Sequence, residues 1–345
     1  MTRIRDQNLL DKYRLKPNDA ILAEDAHRSL FDDLIEKYSA QTTAGGGAQN
    51  TARGAQYCLP PSSVVYIGCV GRDSYADALL AACQQAGVQA EYHVDDAHPS
   101  GRCGAVITDQ NRSLCTELGA ANHYKLNHLK QPRIWDIVQK AKVYFVGGYH
   151  LTVCPEAALA LAQEAAAHNK VFAMSLSAPF IPTEFKEVLV QTEPYWDYIV
   201  GNESEARAWA QSHGLKTDDI PTIAQRMANL PKANSLRPRV AIVTQGTSHT
   251  VYAESEMLSQ EAFLPASYKA GLSKHAWIWG TGSLILEFKK WGQTIHFQGE
   301  NINVVEVILL PLIKDFNNYC LWGALGQVIL LMSPREAQPI SCKSV

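Results

Sequence analysis

An α/β fold with a mostly parallel central sheet and a small β lid is the class this sequence predicts, on three observations. From about residue 60 to about residue 255, short β-branched runs alternate with Ala-rich amphipathic segments, the pattern of repeated strand–helix units. The runs themselves lack a two-residue alternation, as strands buried on both faces require, and such strands belong to parallel sheets. Each run also ends in small or polar residues, and an open α/β sheet gathers its ligands beyond the carboxyl ends of its strands.

Taken in order, Val64–Val70 is the first clear strand, followed by a helix over Ser74–Gly87 with Gly87 as its stop. The rhythm then breaks. Arg102 to Thr108 and Ser113 to Leu118 flank a turn at Asp109-Gln110-Asn111, a hairpin inserted into the α/β run and placed to cover the sheet's active edge. Strands resume at Lys142–Gly147, Val171–Ser177, Tyr198–Gly201 and Val240–Gln245. Between them lie helices over Pro155–His168, Glu203–His213 and Pro221–Leu230, the first opened by Pro155 and the second closed by Gly214. Beyond Glu256 the texture changes: Lys269 to Val345 shows no strand–helix alternation, yet holds four of the seven Trp (Trp277, Trp279, Trp291, Trp322). The division expected is therefore 1–255 for the α/β unit, with lid segments near 10–25 and 90–120, and 256–345 as a non-homologous tail of different character, poorly packed over 270–345.

Composition excludes several classes. The 345 residues are 46% hydrophobic and 19% charged, ordinary values for a folded domain. A formal net charge of -3 without a long basic run argues against nucleic acid as a partner. The eight Cys are scattered with no Cys-x-x-Cys pair, so they read as small buried hydrophobes in a reducing compartment rather than as a metal site. The longest apolar stretch, Val307 to Ile313, is too short to span a bilayer, and Met1-Thr2-Arg3-Ile4 shows no leader. The expected setting is the cytosol, with the nucleus as an extension.

Chemistry concentrates at the strand exits: Gly147-Gly148-Tyr149-His150, Ser177-Ala178-Pro179-Phe180, Gly201-Asn202-Glu203-Ser204-Glu205 and Thr244-Gln245-Gly246. Four such exits together describe a pocket along one edge better than four unrelated loops. Asn202 and Glu205 stand one turn apart at a helix start, where their oxygens suit a hydrated Mg²⁺; taken alone, the motif reads first as an ordinary helix start with an acidic first turn. Thr43-Ala44-Gly45-Gly46-Gly47-Ala48-Gln49-Asn50 runs into an Ala-rich helical segment. Its glycines permit close backbone approach to a ligand and Asn50 suits a sugar diol, although a flexible loop would look the same. No Walker-type phosphate loop is present.

These residues resemble a known family, the ribokinase-like carbohydrate and nucleoside kinases, and within it the adenosine kinases. The matching stretches are Leu9 to Tyr13, Leu15 to Asp25, Ala44 to Asn50, Asn111-Arg112-Ser113-Leu114 and His150 to Val153. They continue with Leu176-Ser177-Ala178-Pro179-Phe180, Gly201 to Ala206 and Thr244-Gln245-Gly246, in family order over residues 6 to 255. The Gly-Gly-Tyr-His form is similar to a fungal branch. The resemblance implies a three-layer ribokinase-like fold and transfer of the ATP γ-phosphoryl to the ribose 5'-hydroxyl of adenosine, giving AMP, with Mg²⁺, by a monomer. It further implies that Gly45, Gly46, Gly47 and Asn50 hold the ribose, and that Cys103, Leu114, Leu118 and Phe180 wall the adenine. Arg112 would contact the transferring phosphate, Asn202, Thr244 and Gly246 would lie against ATP, and Asn202 and Glu205 would organise Mg²⁺ through water.

Two departures set further expectations. The family's Asp-Thr-Asn-Gly-Ala-Gly-Asp segment, whose last Asp is the general base and whose Gly-Ala-Gly turn forms the anion hole, is absent. Trp279-Gly280-Thr281-Gly282-Ser283-Leu284-Ile285 offers glycines near its place but no acid, and Glu287 and Asp315 have no matching context. The family's opening strand, of the type Gly-Asn-Pro-Leu-Leu-Asp, is expected to precede Met1. A misassembled reading frame accounts for both departures; a degenerate relative that binds nucleoside without turnover is the alternative, and another ribokinase-like sugar kinase is a third. The literal chain is expected to be inactive.

Overall fold

The continuous apolar runs become fully buried strands in the computed structural model, which describes residues 7–17, 20–40, 42–108, 111–246 and 248–255, and strands at 284–290, 293–299 and 328–331. In chain order the amino-terminal elements are α1 (Gln7–Lys12), β1 (Ala20–Leu22), α2 (Arg28–Glu36), α3 (Gly47–Cys58), β2 (Val64–Val70), α4 (Ser74–Gln85) and β3 (Gln89–Val94). The hairpin follows as β4 (Arg102–Thr108) and β5 (Asn111–Glu117), then α5 (Leu126–Leu129), α6 (Pro132–Lys140), β6 (Val143–Gly147), α7 (Pro155–Ala167) and β7 (Val171–Ser175). The chain continues with α8 (Phe180–Glu184), α9 (Lys186–Thr192), β8 (Tyr198–Asn202), α10 (Glu203–Ser212), α11 (Ile220–Ala228), β9 (Val240–Gln245) and β10 (Ser248–Glu254). The last strands described are β11 (Leu284–Lys290), β12 (Gln293–Gly299) and β13 (Val328–Leu331).

Helix starts have local causes. Asp73 accepts the N–H of Ala76 at 2.9 Å to cap α4, and Asp219 accepts that of Thr222 at 3.0 Å to cap α11. Pro132 and Pro155 open α6 and α7, where a missing N–H costs nothing.

The large sheet has the order β10-β9-β8-β7-β6-β13-β2-β3. The pairs β2–β3, β6–β7, β7–β8 and β8–β9 are parallel, while β10 closes one edge antiparallel to β9. Alternate residues of each strand enter two cores. Val65, Ile67, Tyr144, Val146, Phe172, Met174, Ile199 and Val243 pack with helices α6, α7, α10 and α11 on one face. Val64, Tyr66, Phe145, Val200 and Ile242 share the other face with Ala48, Ala52 and Ala55 of α3. Burial on both faces explains the absence of a two-residue alternation in the sequence.

A separate three-stranded sheet of order β1-β5-β4 is carried by the hairpin, with β1 parallel to β5 and β5 antiparallel to β4. Val106 and Cys115 on one of its faces pack with Leu30 and Leu34 of α2 and with Leu9, Leu10 and Tyr13.

Several elements differ from expectation. The hairpin's second strand starts at Asn111 rather than Ser113, because Asn111 pairs with Thr108. Strands β3 and β10 and helices α5, α6, α8 and α9 were not predicted. Of the tail, expected to be poorly packed over 270–345, the structure describes three strands, and β13 lies inside the large sheet, antiparallel to β2 and β6. The physical reason is that two neighbouring strands with open backbone rows accept a third by its backbone alone. The hairpin of β11 and β12 is paired over its full length. Trp277, Trp279, Trp291, Trp322 and Asp315 lie outside the described residues, as do Asn18, Asp19, Asp109 and Gln110. No helix among the described residues is long and apolar enough to cross a membrane.

The amino edge of the sheet carries a buried charge cluster. Arg239, fully buried, donates to the carbonyls of Trp196 (3.0 Å), Leu230 (2.6 Å), Glu193 (2.7 Å) and Pro231 (3.1 Å). Asp197 accepts the N–H of Phe172 at 2.8 Å and Lys232 Nζ at 2.5 Å. These charges tie strand starts together, opposite the edge where ligands gather in such sheets.

Candidate active site

Because β6 to β9 are parallel neighbours, their carboxyl ends share one edge, with Gly147 level with Ser175, Ser175 with Val200, and Asn202 with Thr244. The first two exits pass in backbone contact: a Cβ on Gly148 would stand 2.5 Å from the Leu176 carbonyl oxygen and 2.7 Å from that of Ser175. The Gly148 N–H instead donates to Ser177 Oγ at 2.8 Å. Ser177 itself is held at φ +65, a left-handed conformation that costs a non-glycine residue about 1–2 kcal/mol. Its N–H donates to Ser175 Oγ at 3.1 Å, which helps fix the turn. The next exit residues pack by aromatic contact, Tyr149 meeting half-buried Phe180 edge to face at 5.5 Å.

At the β8 exit, Asn202 and Glu205 hold each other. Asn202 Oδ1 accepts the Glu205 N–H at 2.9 Å, and Glu205 Oε2 accepts the Asn202 N–H at 2.9 Å, a reciprocal cap at the start of α10. Asn202 Nδ2 donates to Glu205 Oε1 at 3.0 Å, and Ser204 Oγ donates to Asn202 Oδ1 at 2.6 Å. The carboxyl group is buried, and burial pushes it up to about 7 against the pull of the Asn202 N–H. Each carboxylate oxygen accepts one bond here, so lone pairs remain on both. Hard oxygens with spare lone pairs fit a hydrated Mg²⁺ reached through water, and the capped helix start and the ion site are therefore compatible. Thr244 lies beside Asn202 in register, and Gly246 is exposed in the turn after β9.

The glycine loop enters α3 with Gly46 at φ +90, open only to glycine. Its N-cap, Gly46, has no side chain to cap the first turn, whose N–H groups an α-helix leaves without intrahelical partners. Helix α3 runs back along β2: Gln49 Oε1 accepts Tyr92 Oη–H at 2.6 Å near one end, and Gln56 Oε1 accepts the Val64 N–H at 3.1 Å at the other. That direction brings Gly45, Gly46 and Gly47 toward the carboxyl end of β2, with Asn50 exposed one turn on.

The proposed adenine wall draws on the small sheet, on Leu118 just after β5 and on Phe180 at the start of α8. Cys103 opposes Thr116, and Leu114 opposes Ala105 and is level with Ala20, so both lie on the small-sheet face turned away from α2. Leu22, level with Thr116 on that sheet, packs on the main core to which Phe180 also belongs. Cys103 is exposed, and Leu118 is buried where β5 returns toward the large sheet. Arg112 sits opposite Ile107 in β5, and its side chain lies outside the described residues. Glu287 stands in β11 opposite His296. Sequence reading missed the left-handed Ser177 turn and the Tyr149–Phe180 pair. The adjacent Gly147-Gly148 after a strand was the available signal for the first, and nothing marked the second.

The edge as a whole offers backbone N–H donors, hydroxyls, a buried carboxyl and a partly apolar wall, a set suited to sugar hydroxyls, phosphates and a flat ring. Comparison with known proteins agrees. The profile described as pfkB family carbohydrate kinase matches residues 7–269. The chain is 47% identical over 247 residues to an adenosine kinase of Schizosaccharomyces pombe, covering 71% of this chain and 72% of that protein. It is 43% identical over 266 residues to adenosine kinase 1 of Arabidopsis thaliana, covering 77% of each. Among solved structures, Anopheles gambiae adenosine kinase in complex with P1,P4-di(adenosine-5) tetraphosphate superposes with a TM-score of 0.72 at 40% identity, covering 74% of this chain and 79% of that one. Schistosoma mansoni adenosine kinase in complex with 2-fluoroadenosine gives a TM-score of 0.70 at 31% identity, covering 74% and 75%.

Proposed function

This chain belongs to the pfkB family of carbohydrate kinases, and from that premise we infer that it is an adenosine kinase, a phosphotransferase that makes AMP from adenosine and ATP. The observation that carries the reading is the row of small and polar strand exits along one sheet edge, within the segment shared with adenosine kinases. The kinase unit in this reading is residues 1–255, with the small sheet as its lid, and it acts as a monomer in the cytosol, with the nucleus as an extension.

Phosphoryl transfer passes through a loose transition state, so the protein's work is positioning and charge neutralisation. In this reading Gly45, Gly46 and Gly47 bring backbone against the ribose, and the amide of Asn50 bonds its hydroxyls. Cys103, Leu114, Leu118 and Phe180 enclose the adenine and exclude water. Thr244 and Gly246 line the ATP side, and Arg112 reaches the transferred phosphate. Asn202 and Glu205 would hold Mg²⁺ through its waters, and the ion would supply neutralisation of phosphate charge. Glu205, pushed up to about 7, gives up its proton more readily once a cation lies nearby.

The family's base-bearing Asp-Thr-Asn-Gly-Ala-Gly-Asp segment does not occur in the 345 residues. Loss of a general base costs about 10²–10⁴-fold in rate. The expected behaviour is therefore adenosine binding with turnover near background. Calorimetric titration with adenosine, paired with a radiolabelled AMP assay, tests this. Binding without turnover is expected, and a chain supplied with the signature segment and an opening strand should regain activity. Robust AMP formation by the unaltered chain would refute the assigned base, and preference for a free sugar over adenosine would favour a sugar kinase.

A further inference from the structure

Besides the passage from β1 through α2 and α3 to β2, two short connectors join the small sheet to the large one: residues 95–101 lead from β3 into β4, and residues 118–125 lead out of β5. They run side by side. The Ala120 N–H donates to the Pro99 carbonyl at 2.7 Å, and a Cβ on Gly119 would stand 2.3 Å from the same oxygen. Three side chains with metal-binding atoms face one another across this junction. Asp95 and His98 belong to the first connector and His123 to the second, and one ligand atom from each lies within 4.8 Å of the other two.

The carboxylate is already fixed. Asp95 Oδ1 accepts the N–H groups of Ala97 at 2.7 Å and His98 at 3.2 Å, and both carboxylate oxygens face His98 Nδ1 at 3.2 Å. Oδ2 lies 3.2 Å from His98 Nδ1 and 4.0 Å from His123 Nδ1. The two rings stack at 3.6 Å, 8° from parallel. Their side chains are 43% and 39% exposed, so an ion can reach them from solvent, while that of Asp95 is 13% exposed. The neighbouring Arg72 is engaged with Asp96 at 2.6 Å and does not compete for Asp95.

We propose that Asp95, His98 and His123 bind one divalent transition-metal ion of the zinc class, which staples the two connectors together. Ligand distances of about 2.0–2.2 Å place tetrahedral neighbours roughly 3.4 Å apart. The Asp95–His98 pair is already near that spacing, and His123 reaches it by a small ring rotation that opens the stack. Two imidazole nitrogens and one carboxylate oxygen select zinc, cobalt or nickel over magnesium and calcium, and leave a position for water. The cluster follows β3 at the end of the large sheet's carboxyl edge, with β7, β6, β13 and β2 between it and the Asn202–Glu205 exit of β8, and the inference stands whichever substrate the chain takes.

The test is titration of the chelator-treated full-length chain with Co²⁺ in the absence of nucleotide, read by visible d–d absorption. One equivalent should bind and be displaced by Zn²⁺, and the signal should vanish in His98→Ala and His123→Ala while persisting in Cys103→Ser. Hydrogen exchange should slow at amides 97–101 and 118–123 on adding Zn²⁺ to the unaltered chain and not to His98→Ala/His123→Ala. Absence of a band, or a band retained in that double variant, would overturn the site. Binding without slower exchange in both connectors would overturn the staple. Both imidazoles are partly exposed, and His123→Asn, which keeps a polar side chain, provides a second variant in which the band should be lost.

Discussion

Glu205→Gln should abolish a pH dependence of stability that the unaltered chain shows between pH 5 and 8. In the folded chain burial moves the Glu205 carboxyl from 4.5 to about 7, so the folded state holds this proton more tightly than the unfolded state. Stability from this group is therefore complete below about pH 4.5, declines as pH rises and levels off above about pH 7. At ~1.4 kcal/mol per pH unit the interval amounts to about 3 kcal/mol. Glutamine stands in for the protonated acid: its carbonyl can still accept the Asn202 N–H, and it carries no charge to desolvate. Urea unfolding of both proteins at pH 5, 6, 7 and 8 measures the difference, in which all other titrations cancel. The variant should gain on the unaltered chain by about 2.5 kcal/mol between pH 5 and pH 8, most of the full interval. A difference that stays constant with pH would refute the assignment of a buried, proton-holding Glu205.

Other perturbations probe the same frame. Asn202→Ala removes an N-terminal cap and should cost about 1 kcal/mol in urea unfolding at pH 5. Gly148→Ala drives a Cβ against two carbonyl oxygens, so a loss of about 1–3 kcal/mol and weaker adenosine binding are expected by thermal shift and calorimetry. Arg239→Met strips donors from four carbonyls and a charge from a buried cluster; a loss of about 3–5 kcal/mol should appear as a lowered unfolding midpoint. An unchanged midpoint in Arg239→Met would show that the cluster adds no stability.

The central strands were legible because burial on both faces leaves a plain record, an unbroken apolar run such as Val64 to Val70. Strand β3 was not, because Gln89, Glu91 and His93 interrupt its apolar residues at the edge of the sheet, where Glu91 pairs with Arg133. Strand β10 carries exposed Tyr252 and closes an edge in the antiparallel sense, so it follows neither pattern. At the site, strand exits could be located by position alone. The mutual hold of Asn202 and Glu205 was half legible: the spacing showed a helix start, but the inward turn of the carboxyl depends on what buries it. The left-handed Ser177 depends on Gly148 passing close by, a contact between distant segments that no local pattern records.

The position of β13 governs when this molecule can finish folding. Val328 pairs with both Ile67 and Val146, so the junction between the two halves of the large sheet is closed by residues made long after either neighbour. Pairings so distant in sequence form slowly, since loop closure must precede the contacts that reward it. During synthesis β2 and β6 emerge first and hold open backbone rows that invite pairing with any other extended chain. The chain therefore passes through a stage, ended only by the arrival of Val328 to Leu331, in which its most buried strands are its most aggregation-prone surface.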